Sequence, residues 1–139
     1  MAAKPAYRSA FKSRRCLVPA DGFHEWQKVG ARKQPYRITM KDDGLFAFAG
    51  LWERWERNEI IESFTIIVTE ANELMKPIHD RMPVILDPAD YGAWLNAKTP
   101  AANAQALLCP YASEAMRAYP ISTRVNNPRN DDAGVIEAG

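Results

Sequence analysis

The segment CLVPADGFHEW, residues 16–26, places Cys16, His24 and Glu25 within ten positions of one another. A thiol, an imidazole and a carboxylate can carry out nucleophilic attack and proton transfer. Successive side chains of a strand point to opposite faces, so His24 and Glu25 cannot act on the same atom. Apolar neighbours would partly desolvate the Glu25 carboxylate and suit it to proton transfer. The alternative is an ordinary surface glutamate.

A second candidate is PIHDRMP, residues 77–83, in which prolines at both ends enclose His79, Asp80 and Arg81. The prolines restrict the backbone, which indicates a stiff, irregular segment of the kind on which functional residues concentrate. His79 could donate or accept a proton, and Arg81 could bind a phosphate through its several donors. A structural Asp80–Arg81 pair beside a passive histidine is the alternative.

The tryptophans divide into predicted core and predicted surface. Aromatic side chains among basic residues can stack on unpaired bases, but most tryptophans of a small domain are buried. Trp94, at helical spacing from Tyr91, is predicted to lie in the core. Trp26, next to Glu25, is the tryptophan predicted to lie on a binding surface.

The two cysteines, Cys16 and Cys109, lie far apart and are not in the spacing of a metal site or of a disulfide framework. Both are predicted to be reduced, half-buried thiols, and Cys16, in an apolar strand, is predicted to alkylate slowly. The sequence implies neither a metal nor another cofactor.

The charge of the chain is small but unevenly distributed. The net charge is +1, yet residues 1–37 hold nine Lys/Arg against two acids, whereas the remainder holds nine against fifteen. This asymmetry predicts an anionic partner for the N-terminal third, and Arg14, Arg15 and Arg81 are predicted to contribute to a field that suits a phosphate backbone. The alternative is that Lys12, Arg14 and Arg15 form a solvated flank and that the two halves of the chain neutralise each other on folding.

Length and composition are those of one globular domain. The chain has 139 residues, of which 47% are apolar and 25% charged. The apolar stretches are much shorter than the roughly 20 residues of a membrane span. The N-terminus lacks the apolar region of a signal peptide, so we expect no membrane association and a cytoplasmic location.

The elements that must position these residues are mainly strands separated by turn residues. Asp87 and Thr99 are predicted N-caps of short helices. The predicted strands are RCLVP, FHEWQ, PYRITM, LFAFAGLWE, SFTIIVT, MPVIL, MRAYPIS and GVIEA, and the predicted helices are EANELM, PADYGAWLNA and PAANAQALL. This order indicates an α+β protein with a mainly antiparallel, barrel-like sheet and a few short helices.

Five blocks, RRCLVPADGFHEW, FAFAGLWE, TIIVTEAN, IHDRMPVIL and YPIST followed by VN, occur in this order between residues 11 and 126. In this order they resemble the SOS-response-associated peptidase (SRAP) family, whose members act on abasic sites in single-stranded DNA. The resemblance implies that Glu25 and His79 are catalytic. It also implies roles at the DNA for Arg81, Trp26, Thr69 and Asn126.

The resemblance further implies a cysteine at position 2, exposed when the first methionine is removed autocatalytically. Its amine and thiol capture the aldehyde of an abasic site as a Schiff base and then as a thiazolidine, which crosslinks protein and DNA. Residue 2 here is Ala2. We therefore expect residues 1–139 to form a single SRAP-like domain without the family's N-terminal segment. The surface left exposed could support self-association.

Two other functions stay open at this point. One is a noncatalytic module that binds single-stranded DNA. The other is a cysteine hydrolase in which Cys16 is the nucleophile and His79 and Glu25 are its partners. For a bacterial DNA-acting protein, the expected cytoplasmic location would be at the nucleoid.

Overall fold

The computed structural model describes residues 5–56 and 58–126, and Ala2 and the predicted strand GVIEA lie outside them. The strands are β1 (Arg15–Ala20), β2 (Phe23–Val29), β3 (Arg32–Met40), β4 (Phe46–Glu56), β5 (Ile60–Ile66), β6 (Val68–Glu70), β7 (Arg81–Pro83), β8 (Ile85–Leu86) and β9 (Met116–Pro120). The α-helices are α1 (Pro5–Ser13), α2 (Tyr91–Leu95) and α3 (Ala101–Ala106), and short 3-10 helices span Pro88–Asp90, Ser113–Ala115 and Thr123–Asn126.

The prediction of a mainly antiparallel protein with a few short helices is confirmed, although the sheets are open and do not close into a barrel. One sheet has the order β1-β4-β5, with β8 also paired to β4; a second has the order β2-β3-β9, and β6 pairs with β7. Within the described residues, no helix is long and apolar enough to cross a membrane.

The chain divides into two compact units. The first comprises residues 1–19, 46–69 and 83–111, and the second comprises residues 20–45, 70–82 and 112–139.

The first unit is organised around Trp94, which is fully buried as predicted. Its indole N–H donates to the Cys16 carbonyl oxygen at 2.8 Å, and the Phe11 ring packs edge-on against it at 5.8 Å between centroids. Phe11 belongs to α1, a helix that was not predicted. Burial of this helix against the β1-β4-β5 sheet supplies part of the apolar core.

Arg15 is a structural residue of this core. The residue is 93% buried, and its guanidinium donates to the carbonyl oxygens of Trp94, Phe11 and Asn96 at 2.6–2.7 Å. The neighbouring Arg14 forms an ion pair with Glu53 at 3.0 Å. The prediction that Arg15 faces an anionic partner is therefore wrong, because its guanidinium is used within the core of the first unit. The prediction for Arg14, which is partly exposed, stays a prediction.

The second unit contains the β2-β3-β9 sheet. A two-residue loop, Gly30-Ala31, joins β2 to β3, and Gly30 has the positive φ of 62° that such a tight hairpin favours. Inside the unit, side chains of several elements are almost fully buried: Ile38, Met75, Met82, Met116 and Ile121. This core supports the central strand β3, and β2 is left as the edge strand.

The helix predicted for EANELM is replaced by a series of turns over residues 73–78. The Asn72 carbonyl accepts hydrogen bonds from the N–H groups of Met75 and Lys76, and the Asn72 side-chain oxygen also accepts from Met75 N–H at 3.0 Å. A side chain that bonds to nearby backbone in this way competes with helix formation. The irregular segment that carries His79 begins with these turns.

Of the two predicted helix N-caps, Asp87 is correct and Thr99 is wrong. The Asp87 carboxylate accepts a hydrogen bond from Ala89 N–H at 2.9 Å and caps the 3-10 turn ahead of α2, as predicted. Thr99 is not the cap of α3, since Pro100 occupies that position and the Thr99 hydroxyl donates to the Ala93 carbonyl oxygen instead.

Candidate functional site

A pocket of about 940 Å³ lies within the second unit. It is lined on one side by Glu25, Trp26, Gln27, Lys28, Ala31 and Lys33, and on the other by Pro77, Ile78, His79 and Asp80. The structure therefore brings Glu25 and His79 to the same pocket although 54 positions separate them in the sequence. Their catalytic roles stay predictions.

Gln27 holds the two walls of the pocket together. Strand alternation places Gln27 on the same face of β2 as Glu25. Its side-chain amide donates to the Pro77 carbonyl oxygen at 2.8 Å, two residues before His79, while its carbonyl oxygen accepts from the Tyr36 hydroxyl at 3.3 Å. The segment with His79 is thus fixed against the strand with Glu25. Sequence analysis missed this role, although the shared face with Glu25 was a usable signal.

The Glu25 carboxylate is half-buried at the open edge of the sheet. Trp26 pairs in register with Pro35 of β3, and the Pro35 carbonyl oxygen points towards β9, where it accepts a hydrogen bond from Ile121 N–H. Trp26 and Pro35 are therefore a non-hydrogen-bonded pair, and the Trp26 backbone N–H points away from β3. This N–H donates to Glu25 Oε1 at 3.1 Å. The contact orients the carboxylate at the strand edge that borders the pocket.

The exposed imidazole of His79 has a donor and an acceptor beside the same nitrogen. The Arg81 backbone N–H donates to His79 Nδ1 at 3.1 Å, and Asp80 Oδ1 lies 3.3 Å from it. Both contacts are made at Nδ1, so together they fix the orientation of the ring from one side.

The remaining predicted site residues are less closely grouped. Arg81 is exposed at the start of β7, and Trp26 is half-buried and lines the pocket. Thr69 is half-buried in β6 and belongs to the first unit, not to the unit that contains the pocket. Asn126 ends the last 3-10 helix, and its side chain lies outside the described part of the structure.

His24 lies on the opposite face of β2 from Glu25, as strand alternation predicted. Its ring packs edge-on against Trp26 at 6.3 Å between centroids. Its Nε2 atom is buried and has no hydrogen-bond partner among the described residues. Burial and, to a smaller extent, the positive charge of Arg37 lower the pKa of His24, so the neutral form is favoured.

The two cysteines differ in environment. Cys16 is half-buried in β1, and burial raises the pKa of its thiol. Cys109 is exposed, so its prediction as half-buried is wrong. Within residues 5–56 and 58–126, His, Cys, Asp and Glu side chains do not form any group of three or more that could hold a metal ion.

Comparison with known proteins identifies the class to which this fold and pocket belong. Residues 1–128 match the family described as SOS response associated peptidase (SRAP). The chain belongs to this family.

The individual relatives agree with this assignment. The abasic site processing protein YoaM of Bacillus subtilis is 46% identical over 97% of this chain, and the abasic site processing protein HMCES of Xenopus tropicalis is 36% identical over 94%. A crystal structure of a Bacteroides thetaiotaomicron protein superposes with a TM-score of 0.89 at 36% identity over 99% of this chain and 62% of its own. The chain spans 61% of YoaM and 45% of HMCES.

Proposed function

We propose that this chain carries the proton-transfer site of a protein that processes abasic sites in single-stranded DNA. The observation that supports this most directly is the pocket shared by Glu25 and His79 in a chain of the SRAP family. The names of its relatives, which describe abasic site processing, support the same substrate class. The proposal therefore assigns the pocket with Glu25 and His79 to the processing of abasic sites.

The reaction needs two kinds of proton movement. When an amine adds to the aldehyde of a ring-opened abasic sugar, the carbinolamine loses water to give an imine. One proton is delivered to the departing hydroxyl group and another leaves the nitrogen. A thiol can then add across the imine, with sulfur bonding to carbon and the proton going to nitrogen, so that the net products are a thiazolidine and water. A carboxyl group and an imidazole in one pocket can supply these transfers.

The nucleophile in this proposal is the N-terminal cysteine that the family resemblance implies, and residue 2 of this chain is Ala2. We define the cysteine-extended protein as this chain preceded by the family's N-terminal segment with its cysteine. We therefore propose that the chain itself binds abasic DNA and that only the cysteine-extended protein forms the heat-stable adduct. Autocatalytic removal of the leading methionine belongs to the same extended protein.

The test is a denaturing gel after incubation with a single-stranded oligonucleotide that contains one abasic site. The chain as it stands should give no stable shifted band, whereas the cysteine-extended protein should give one. A matched oligonucleotide without the abasic site is the control. A stable band from the unextended chain would show that another residue is the nucleophile. Failure of the extended protein to form a band would reject the proposal.

The structure gives little support to Cys16 as the nucleophile of a hydrolase. Burial raises the pKa of its thiol and so disfavours the reactive thiolate. A Cβ atom added at Gly50 would lie 3.1 Å from Cys16 Sγ, which means that the sulfur packs closely against the backbone of β4. Both features are typical of a structural cysteine.

A further inference from the structure

We infer that the end of the β2-β3 hairpin is a phosphate-binding arm that holds the DNA backbone beside the Glu25–His79 pocket. The arm consists of Lys28 and Lys33, which share one face of the hairpin, and of Arg32, which pairs with Val29 at the loop end on the other face. The inference deepens the proposed function, on which it rests. The occupant is the phosphodiester backbone of the strand that enters the pocket.

The first observation is the charge of the hairpin. Residues 26–41 contain five cations and no Asp or Glu. Arg37 forms an ion pair with Asp21 at 3.2 Å, whereas Lys28, Arg32 and Lys33 are exposed near the hairpin loop. A cluster of cations in a segment without acids creates a positive local potential although the whole chain is nearly neutral.

The second observation is the register of the two strands. Lys28 and Lys33 are direct cross-strand neighbours, so their side chains share one face of the hairpin. Like charges at directly opposite positions destabilise an antiparallel pair. A bound phosphate group would compensate this repulsion, because each ammonium group can donate to a phosphate oxygen.

The third observation is position. Lys28 and Lys33 line the same pocket as Glu25 and His79. Trp26, also in the lining, shares its face of β2 with Lys28, and Glu25 is its neighbour in the strand on the opposite face. Aromatic side chains beside a basic groove are typical of single-strand binding surfaces. A phosphate held at the hairpin end would fix the strand close to the groups that transfer protons.

The experiment compares two triple variants that remove the same charge. The arm variant is Lys28→Gln, Arg32→Gln and Lys33→Gln, and the control variant is Arg54→Gln, Lys98→Gln and Arg117→Gln, whose three cations are exposed outside the basic N-terminal third and outside the hairpin. Fluorescence anisotropy measures binding of an undamaged single-stranded oligonucleotide over a range of salt concentrations. The arm variant should lose affinity on the order of tenfold, and the slope of log K against log salt should fall by about 2, because each phosphate contact in a single strand contributes about 0.7.

Equal losses in the two variants would overturn the arm in favour of bulk charge. No loss in the arm variant, or no binding by the unmodified chain, would also overturn it. If the arm variant weakens binding selectively but the cysteine-extended protein forms no adduct, the arm stands and the proposed chemistry fails. The two proposals can therefore fail separately.

A single substitution tests whether weaker DNA binding could be due to a loss of stability. Lys28→Glu replaces a repulsive cross-strand pair with an attractive one, so the melting temperature should hold or rise while DNA affinity falls. Opposite shifts in stability and binding support the arm. A variant that is at least as stable and binds DNA as tightly as the unmodified chain would overturn it.

Discussion

Basic residues serve opposite purposes in the two units of this chain. Arg15 of the first unit is buried, and its donors are used by three backbone carbonyl oxygens. Lys28 and Lys33 of the second unit face each other across an exposed hairpin and line a pocket. Both groups fall in the same basic third of the sequence. The comparison shows that burial, more than residue type, decides whether a cation is used inside the fold or stays accessible at the surface.

The largest expected effect is on the stability of the first unit. Arg15→Met keeps an unbranched side chain but leaves three carbonyl oxygens without their donor. Since each unsatisfied buried group costs about 1–3 kcal/mol, we expect a loss of about 3 kcal/mol or more in the free energy of unfolding. Urea denaturation monitored by tryptophan fluorescence measures this loss.

Arg14→Gln is the matched control. It removes a partly exposed ion pair with Glu53 and exposed hydrogen bonds to the Trp52 carbonyl oxygen and the Ser9 hydroxyl group, so its effect should be smaller than that of Arg15→Met. Arg15→Lys should recover little stability, because an ammonium group cannot reproduce the geometry of the guanidinium donors. A change at Arg15 as small as the change at Arg14 would contradict the structural role of Arg15.

The next effect concerns how the second unit positions its pocket. Gln27→Leu removes the hydrogen bond to the Pro77 carbonyl oxygen and should cost about 1 kcal/mol in stability. Adduct formation by the cysteine-extended protein should slow on the order of tenfold, because His79 is no longer held against β2. Single-turnover crosslinking kinetics measure the rate.

Gln34→Leu is the control for Gln27→Leu. Gln34 is the cross-strand partner of Gln27, and its amide donates to the carbonyl oxygens of Pro35 and Ile121, away from the pocket. This variant should lose comparable stability without slowing the adduct. Equal slowing in both variants would mean that Gln27 acts through general stability alone.

The cysteines extend the comparison to chemical reactivity. Cys109 is exposed, whereas burial raises the pKa of Cys16, so iodoacetamide at neutral pH should modify Cys109 first. Peptide mass spectrometry over time can separate the two rates. Urea should accelerate labelling of Cys16 far more than labelling of Cys109. Faster labelling of Cys16 in the folded protein would contradict its structural role and revive the hydrolase hypothesis.

The smallest effect is a dependence of stability on pH from His24. Because the folded protein lowers the pKa of His24 below its ordinary value of 6.5, unfolding takes up a proton as the pH falls through that region. The stabilising contribution is therefore complete above about pH 6.5 and declines at lower pH. His24→Phe keeps an aromatic ring against Trp26 and should flatten the stability curve between pH 7.5 and 5, as urea titrations would show. Parallel curves for the two proteins would contradict this explanation.

The sequence allowed most strands of both units to be predicted, because alternation and turn residues are local signals. The two candidate functional segments were also recognisable, since GFHEW and IHDR belong to blocks in the family order. Local signals did not reveal that Arg15 is buried, because its partners Trp94 and Asn96 lie about 80 positions away. They also missed the Asn72 turns, since EANELM has helix-forming composition and the competing side-chain bond depends on the folded geometry.

The central claim is that Glu25 and His79 act together on one reaction at one pocket. Its most direct test is a double-mutant cycle on the rate of adduct formation by the cysteine-extended protein, with Glu25→Gln, His79→Ala and the double variant. Each single variant should slow the adduct on the order of 100-fold, as expected for the loss of a general acid or base. The double variant should be about as slow as the slower single variant, because groups that work as a unit are not additive. Rates unaffected by either substitution, or two losses that multiply in the double variant, would contradict the shared site.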